Sequence, residues 1–299
     1  MDFLRPATLA EAVAAKAERP DAIPIAGGTD IMVEINFDVR RPDALLDLNQ
    51  VRELAQTGRE GGMLRVGAAV SYAEIIAGLA GPLPALAMAA RTVGSPQIRN
   101  RGTVGGNLGA ASPAGDMHPV LLACDAVVEA ASVRGTRRIP AAEFYTGPKR
   151  NALADDELIT AFLIAPAAGP QQFAKIGTRN AMVIAVCSFA LALWPAGRPD
   201  GSGGTAGTGI GSAGPVPLRA HEAEEFLAGE LSAAGLWESG GPLPAAVSAR
   251  FGELAAGAAR PIDDVRGSAA YRRHALSVLA RRTLGWTWDA YCAEVRQCA

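Results

Sequence analysis

Apolar positions in the first half of the chain come in short bursts, which predict alternating helices and strands rather than long helical stripes. Thr8-Leu9-Ala10-Glu11 is a capping box ahead of an alanine-rich stretch and predicts a helix running to about Arg19. Short strands are predicted at 23–26 and 44–48, a glycine break at 58–62, and a strand at 63–70. Ser71-Tyr72-Ala73-Glu74 caps the next helix, and 83–92 reads as another. Residues 117–123 are helical, with Pro119 tolerated in the first turn. The runs 126–131, 137–139 and 157–165 read as strands.

Pro166-Ala167-Ala168-Gly169-Pro170 is the best domain boundary, and the pattern changes beyond it. Residues 172–178 and 183–194 predict a hairpin of buried strands. The second run is about a dozen residues, too short for a bilayer. Residues 197–214, rich in Gly, Ser and Thr, read as a mobile connection leading into a strand. Helices at 218–228 and 243–258, and a basic one over 268–284, complete an α+β pattern.

Composition narrows the classes. With 299 residues, 49% of them hydrophobic, the chain can bury a sizeable core in two or three domains. A net charge of -2 argues against a nucleic-acid surface. The start, Met1-Asp2-Phe3-Leu4-Arg5-Pro6, lacks signal-peptide order, and a soluble cytoplasmic protein with no membrane span is expected. Cys124, Cys187, Cys292 and Cys298 form no C-x-x-C, so neither a zinc site nor an iron–sulfur cluster is expected. Cys124 and Cys187 read as core residues; Cys292 and Cys298 could pair, although two thiols suit a reducing compartment better. His118, His221 and His274 fit no hydrolase motif.

Two glycine turns carry the best chemical clue: Ile25-Ala26-Gly27-Gly28-Thr29-Asp30-Ile31 and Thr103-Val104-Gly105-Gly106-Asn107. Glycine adopts positive φ and lacks a Cβ, so consecutive N–H groups can converge on an anion. Two such turns suit two sides of one diphosphate; the bland alternative is a pair of hairpins or bulges. Ser112 and Asp116 follow in Ala111-Ser112-Pro113-Ala114-Gly115-Asp116. Asp116 either caps the helix near His118 or accepts hydrogen bonds from a ribose or ring donor. Gly209-Ile210-Gly211-Ser212-Ala213-Gly214 spells the dinucleotide fingerprint, but Pro215 and Pro217 forbid the helix that fingerprint needs. It is read as a strand and turn.

These motifs resemble the FAD-binding subunit of the xanthine dehydrogenase and carbon monoxide dehydrogenase (molybdenum hydroxylase) family. Phe144-Tyr145-Thr146-Gly147-Pro148, Asp156-Glu157-Leu158-Ile159, Phe173-Ala174-Lys175-Ile176-Gly177 and Asp264-Val265-Arg266-Gly267-Ser268 match in family order. The resemblance implies a two-part FAD-binding domain of the vanillyl-alcohol-oxidase (PCMH) type over 1–168, with subdomains at about 1–58 and 59–168. A smaller α+β domain with a short antiparallel sheet and helices would follow over 171–290.

By the same resemblance, Ile25, Ala26, Gly27, Gly28, Thr29, Asp30 and Ile31, with Thr103, Val104, Gly105, Gly106 and Asn107, would hold the FAD pyrophosphate. Backbone N–H groups would do most of this, with side-chain bonds from Thr29, Thr103 and Asn107. Ser112 and Asp116 would sit beside the flavin and Ile159 would pack on its ring. Lys175 would reach the flavin O2 region as the residue acting in catalysis, where a cation stabilises the reduced ring; its bland alternative is a solvated strand-edge lysine. Val93 stands where some relatives place an aromatic against the flavin. With no histidine near either turn, the FAD is expected to be non-covalent.

Molybdopterin and [2Fe-2S] clusters are implied only in partner subunits, a large and a small one, with electrons leaving to NAD or another acceptor. Arg272, Arg273, Arg281 and Arg282 either face a partner or form a solvated helix face. A self-sufficient flavin oxidase or reductase, and a non-enzymatic β-rich module, remain the competing readings.

Overall fold

The computed structural model describes residues 1–197 and 203–298. The chain opens with β1 (Asp2–Leu4), α1 (Leu9–Glu18), β2 (Ile23–Ile25), α2 (Ile31–Asn36) and β3 (Ala44–Asp47). Thr8 caps α1 as expected, its hydroxyl accepting the Glu11 N–H at 3.2 Å. The three strands form a parallel sheet ordered β1-β3-β2, closed over Ala12, Leu46 and Leu54.

The next stretch contains β4 (Thr57–Glu60), β5 (Met63–Gly67), α3 (Tyr72–Gly78), α4 (Pro84–Thr92), α5 (Pro96–Arg99), α6 (Val104–Ala110) and α7 (Met117–Ala123). It continues through β6 (Val127–Ser132), β7 (Gly135–Pro140), α8 (Ala141–Phe144), β8 (Tyr145–Gly147), β9 (Arg150–Asn151) and β10 (Leu158–Ile164). Strands β4-β5-β10-β6-β7 make an antiparallel sheet with α3, α4, α6 and α7 sharing its core. β5 stops at Gly67, short of the expected Val70. A Cβ on Gly67 would lie 2.1 Å from the Leu54 carbonyl oxygen, so the chain turns there at a backbone crossing.

The last part holds β11 (Gln171–Ile176), β12 (Cys187–Trp194), β13 (Thr205–Gly211), α9 (His221–Ala233), α10 (Leu236–Ser239), α11 (Ala245–Ala258) and α12 (Ala269–Cys298). The three strands pair antiparallel in chain order. β12 is apolar throughout because both its faces are covered. Cys187, Phe189, Leu191 and Leu193 meet the C-terminal helices, while Ala190, Ala192 and Trp194 join the core of the preceding sheet. β12 begins at Cys187, so 183–186 belongs to the connection from β11.

Three expectations are corrected here, namely the mobile connection, the end of the last helix and the exposure of Arg272, while the strand and turn read at 209–214 holds. Residues 205–211 of the supposed mobile connection are the buried strand β13, whereas 198–202 lie outside the described residues. The glycines of Gly209-Ile210-Gly211 are packing devices: a Cβ on Gly209 would stand 1.8 Å from the Pro119 carbonyl oxygen. The last helix runs to Cys298 rather than 284, because Trp288 and Tyr291 are needed in the core with Trp237. Arg272 on that helix is buried, whereas Arg273, Arg281 and Arg282 are exposed. The Cys298 side chain lies outside the described residues; Cys292 is a buried thiol. Among the described residues no helix is long and apolar enough to cross a membrane.

Candidate functional site

The two glycine segments meet. β2 ends at Ile25 and the chain turns through Gly27 and Gly28, the latter at φ +74°, before α2 begins. A Cβ on Gly27 would lie 1.9 Å from the Arg101 carbonyl oxygen, so the first turn is pressed against the backbone leading into the second. Asn49 ties them from the side: its Nδ2 donates to the Ala26 carbonyl at 2.9 Å and its Oδ1 accepts from Arg101 at 3.2 Å.

Despite their similar spelling, the segments differ in what they leave open. Among the described residues, the backbone N–H groups of Gly27, Gly28, Thr29 and Asp30 donate to no protein acceptor. The second segment is the first turn of helix α6 rather than a free turn. Its Gly105 N–H donates to Ala68 O at 3.2 Å, Gly106 N–H to Thr103 Oγ1 at 2.9 Å and Asn107 N–H to Thr103 O at 3.0 Å. Neither Gly105 nor Gly106 has positive φ; a Cβ on Gly105 would strike the Ala68 carbonyl oxygen at 2.4 Å. Thr103, buried and capping α6, still has its hydroxyl proton and one lone pair to offer elsewhere. Gly106 and Gly109 are exposed beside Asn107, whose buried Oδ1 has no hydrogen-bond partner.

A second cluster lies where α7, α4 and β11 meet. Asp116 precedes α7 but makes no capping hydrogen bond, which removes its bland reading. Its Oδ2 accepts from Lys175 Nζ at 2.6 Å and Thr92 Oγ1 at 3.0 Å, while the buried Oδ1 has no partner. Burial raises the Asp116 carboxyl above its ordinary range, opposed by the Lys175 charge and the hydrogen bonds from Lys175 and Thr92. Lys175 is not a solvated edge residue: its side chain is 10% exposed and also donates to the carbonyls of Thr92 and Val183, at 3.0 and 3.1 Å. An ammonium has three donors and all three are committed, so a further contact requires surrendering one. Tyr72 links the clusters, since burial and then the carboxylates of Asp30 and Asp116 raise its phenol.

Between the clusters, Ala111 ends α6 in the left-handed region and the 112–115 turn returns the chain to Asp116. Ser112 Oγ accepts the Ala114 N–H at 3.3 Å. Ile159 lies on β10 with its side chain toward exposed Gly109. His118, remote from the glycine turns in spacing, returns to Asn107 across Gly115: a Cβ there would meet His118 Nε2 at 2.3 Å and Asn107 Nδ2 at 2.8 Å. The imidazole is fully buried, bonded to Tyr145 Oη at 2.8 Å, and burial lowers it to about 3, so it is neutral.

A cavity of about 250 Å³ opens beside Lys175, lined by Arg91, Thr92, Arg99 and Arg179 together with residues 180–183. Sequence reasoning missed Asn49, Thr92 and these arginines because none sits in a motif or period; only folding brings them together. Among the described residues no group of three or more His, Cys, Asp or Glu side chains is placed to hold a metal ion.

Comparison with known proteins shows the family. Residues 1–167 match the FAD binding domain in molybdopterin dehydrogenase, and 172–287 match the CO dehydrogenase flavoprotein C-terminal domain. The chain is 36% identical over 239 residues to the nicotinate dehydrogenase FAD-subunit of Eubacterium barkeri, covering 76% of this chain and 79% of that protein. It is 30% identical over 288 residues to the carbon monoxide dehydrogenase medium chain of Afipia carboxidovorans, covering 95% of each. The fold superposes on a chain of the cyanide-inactivated Cu,Mo-CO dehydrogenase crystal structure with a TM-score of 0.85 at 27% identity, covering 97% of this chain and 98% of that one. The chain therefore belongs to the family of FAD-binding subunits of the molybdenum hydroxylases, the oxidoreductases that include the xanthine and carbon monoxide dehydrogenases.

Proposed function

We propose that this chain is the electron relay of a cytoplasmic molybdenum hydroxylase complex. It would take electrons from the [2Fe-2S] clusters of a small subunit, which a molybdopterin-bearing large subunit reduces, and deliver them to NAD or another acceptor. Bound FAD supplies a carrier that accepts electrons singly and releases them as a pair. The observation that carries the reading is the row of uncommitted amides at 27–30, on a loop pressed against the backbone that leads into α6, together with the unpartnered buried oxygens of Asn107 and Asp116. Buried polar atoms without partners are rare in native proteins, and here they fit a polar ligand.

In this reading 1–168 holds the FAD and 171–290 completes the site with Lys175. Ile25–Ile31 of the first loop cradles the pyrophosphate through its N–H groups, with Thr29 adding its hydroxyl. Thr103, Val104, Gly105, Gly106 and Asn107 bring helix α6 against the same group. Ser112 and Asp116 flank the flavin, Ile159 packs on its ring, and Lys175 stabilises negative charge there. The Arg91, Arg99 and Arg179 side chains around the neighbouring cavity favour an anionic acceptor such as NAD.

The test is direct. The purified chain should take up one FAD, and anaerobic NADH should bleach the flavin absorbance without other subunits. A colourless chain that ignores added FAD sinks the reading; a flavin reduced by small substrates but not by NADH would make it a self-sufficient enzyme instead.

A further inference from the structure

We infer that Arg272, on the C-terminal helix, is a positioning residue for Lys175; the inference rests on the flavin placement proposed above. Arg272 turns away from the solvent face of α12, with 5% of its side chain exposed. Its Nη1 donates to the carbonyls of Val186 at 3.1 Å and Ser212 at 2.6 Å, its Nε to Gly267 O at 3.5 Å, and its Nη2 pairs with Asp264. One planar fork thus fastens the end of the β11–β12 connection, the end of β13 and the 264–267 turn, a geometry an ammonium cannot copy.

The anchored connection acts on the site. Val186 N–H donates to Ile176 O at 2.7 Å, closing the segment next to Lys175. Within it, Val183 presses on the strand so closely that a Cβ on Gly177 would come 2.2 Å from Val183 Cγ1. The Val183 carbonyl accepts from Lys175 Nζ, holding the ammonium on Asp116. Removing the guanidinium leaves two buried carbonyls unsatisfied, a cost the segment escapes by swinging toward water. Val183 then leaves Lys175, and the cation is no longer fixed where the flavin needs it.

The test compares Arg272→Met, Arg272→Lys, Lys175→Met and the Arg272→Met/Lys175→Met double variant. In the apoprotein, trypsin reads the segment directly, because Arg179 lies exposed within it. Arg272→Met should be cut after Arg179 at least tenfold faster than the parent well below the melting temperature, with cutting at exposed Arg250 on α11 unchanged. With FAD bound, Arg272→Met should shift the two-electron equilibrium toward oxidised flavin about tenfold, about 30 mV. Arg272→Lys should restore only part of either effect. The double variant should shift no further than Lys175→Met alone, since Arg272 acts through Lys175. Unchanged cutting after Arg179, or an additive shift in the double variant, overturns the inference. If Arg272→Met does not fold, Asp264→Asn is read by the same two measurements, with the same directions and smaller amplitude. A chain that takes no FAD defeats the flavin placement, while the trypsin result still judges the anchoring.

Discussion

Gly27→Ala is the smallest change that tests how the site is assembled. The added Cβ would stand 1.9 Å from the Arg101 carbonyl oxygen, 2.5 Å from its carbon and 3.0 Å from the Gly102 nitrogen. All three are backbone atoms, so no rotamer change relieves the clash. Carbon contacts settle at about 3.5–4.0 Å, so the 25–31 loop and the 101–107 segment must part by about 1.5 Å. Overpacking of this kind costs about 1–3 kcal/mol. If FAD needs both segments drawn together, that cost passes into affinity, a loss of about 5- to 150-fold.

Gly106→Ala is the matched control. It is exposed, and its Cβ would meet only Thr103 Oγ1, at 3.2 Å. Alanine in a helix gains about 0.5–1 kcal/mol over glycine, so the apoprotein should be as stable as the parent or more so. Its FAD affinity should still fall, because the methyl group occupies the face a phosphate would approach. Titration of apoprotein with FAD, followed by flavin fluorescence, and urea melts of each variant measure the two quantities separately. Gly27→Ala with parental affinity and an unchanged urea midpoint would refute the contact between the segments.

Three further outcomes are expected. Burial lowers His118 from 6.5 to about 3, so its stabilising contribution is complete above pH 6.5 and is lost as pH falls toward 3. The slope starts at about 0.7 kcal/mol per pH unit at pH 6.5 and approaches about 1.4 near pH 5, which urea melts over that range should show and His118→Gln should flatten; an equal slope in the variant contradicts a buried neutral imidazole. Gly209→Ala, whose Cβ would lie 1.8 Å from the Pro119 carbonyl oxygen, should lower stability by about 1–3 kcal/mol through the β13–α7 contact, and a neutral melt would revive the dinucleotide reading of that motif. Trp288→Ala, removing a side chain 2% exposed in the C-terminal core, should cost about 3–5 kcal/mol in a urea melt, whereas a change under about 1 kcal/mol would mean the end of α12 is not part of that core.

The readable parts of the sequence were those whose cause is local. Thr8 and Ser71 cap the helices their boxes announce, because a cap involves residues three apart. The apolar run ending at Trp194 is a strand, although only the fold explains it, with α11 and α12 on one face and α4 and α7 on the other. The strand read at 209–214 starts earlier, at Thr205, and its burial was hidden because glycine carries no hydrophobic signal: Gly207, Gly209 and Gly211 make a strand that is buried by lacking side chains. Lys175 and Asp116 were each identified, but 59 residues separate them and no period records that they form a pair. Arg272 was misread as surface charge because a helix position facing three carbonyls looks the same in sequence as one facing water.

The two Gly-Gly pairs show where such reading reaches its limit. Both mark places where backbone comes close to something, and the residue types say no more than that. At Gly105 the close neighbour is the chain itself, with Ala68 O already accepting the Gly105 N–H, and the helix consumes the donors that follow. At Gly27 and Gly28 the neighbour on one side is Arg101, yet four successive N–H groups are left without acceptors among the described residues. Backbone donors are strong and obligatory groups, so a run of them needs water or a ligand. The same dipeptide thus lets one loop close on its protein and leaves the other open to an anion. An accounting of N–H partners separates the two roles; glycine spacing cannot. A diphosphate held by this chain should therefore depend chiefly on the amides of 27–30, with α6 setting the far wall against which they close.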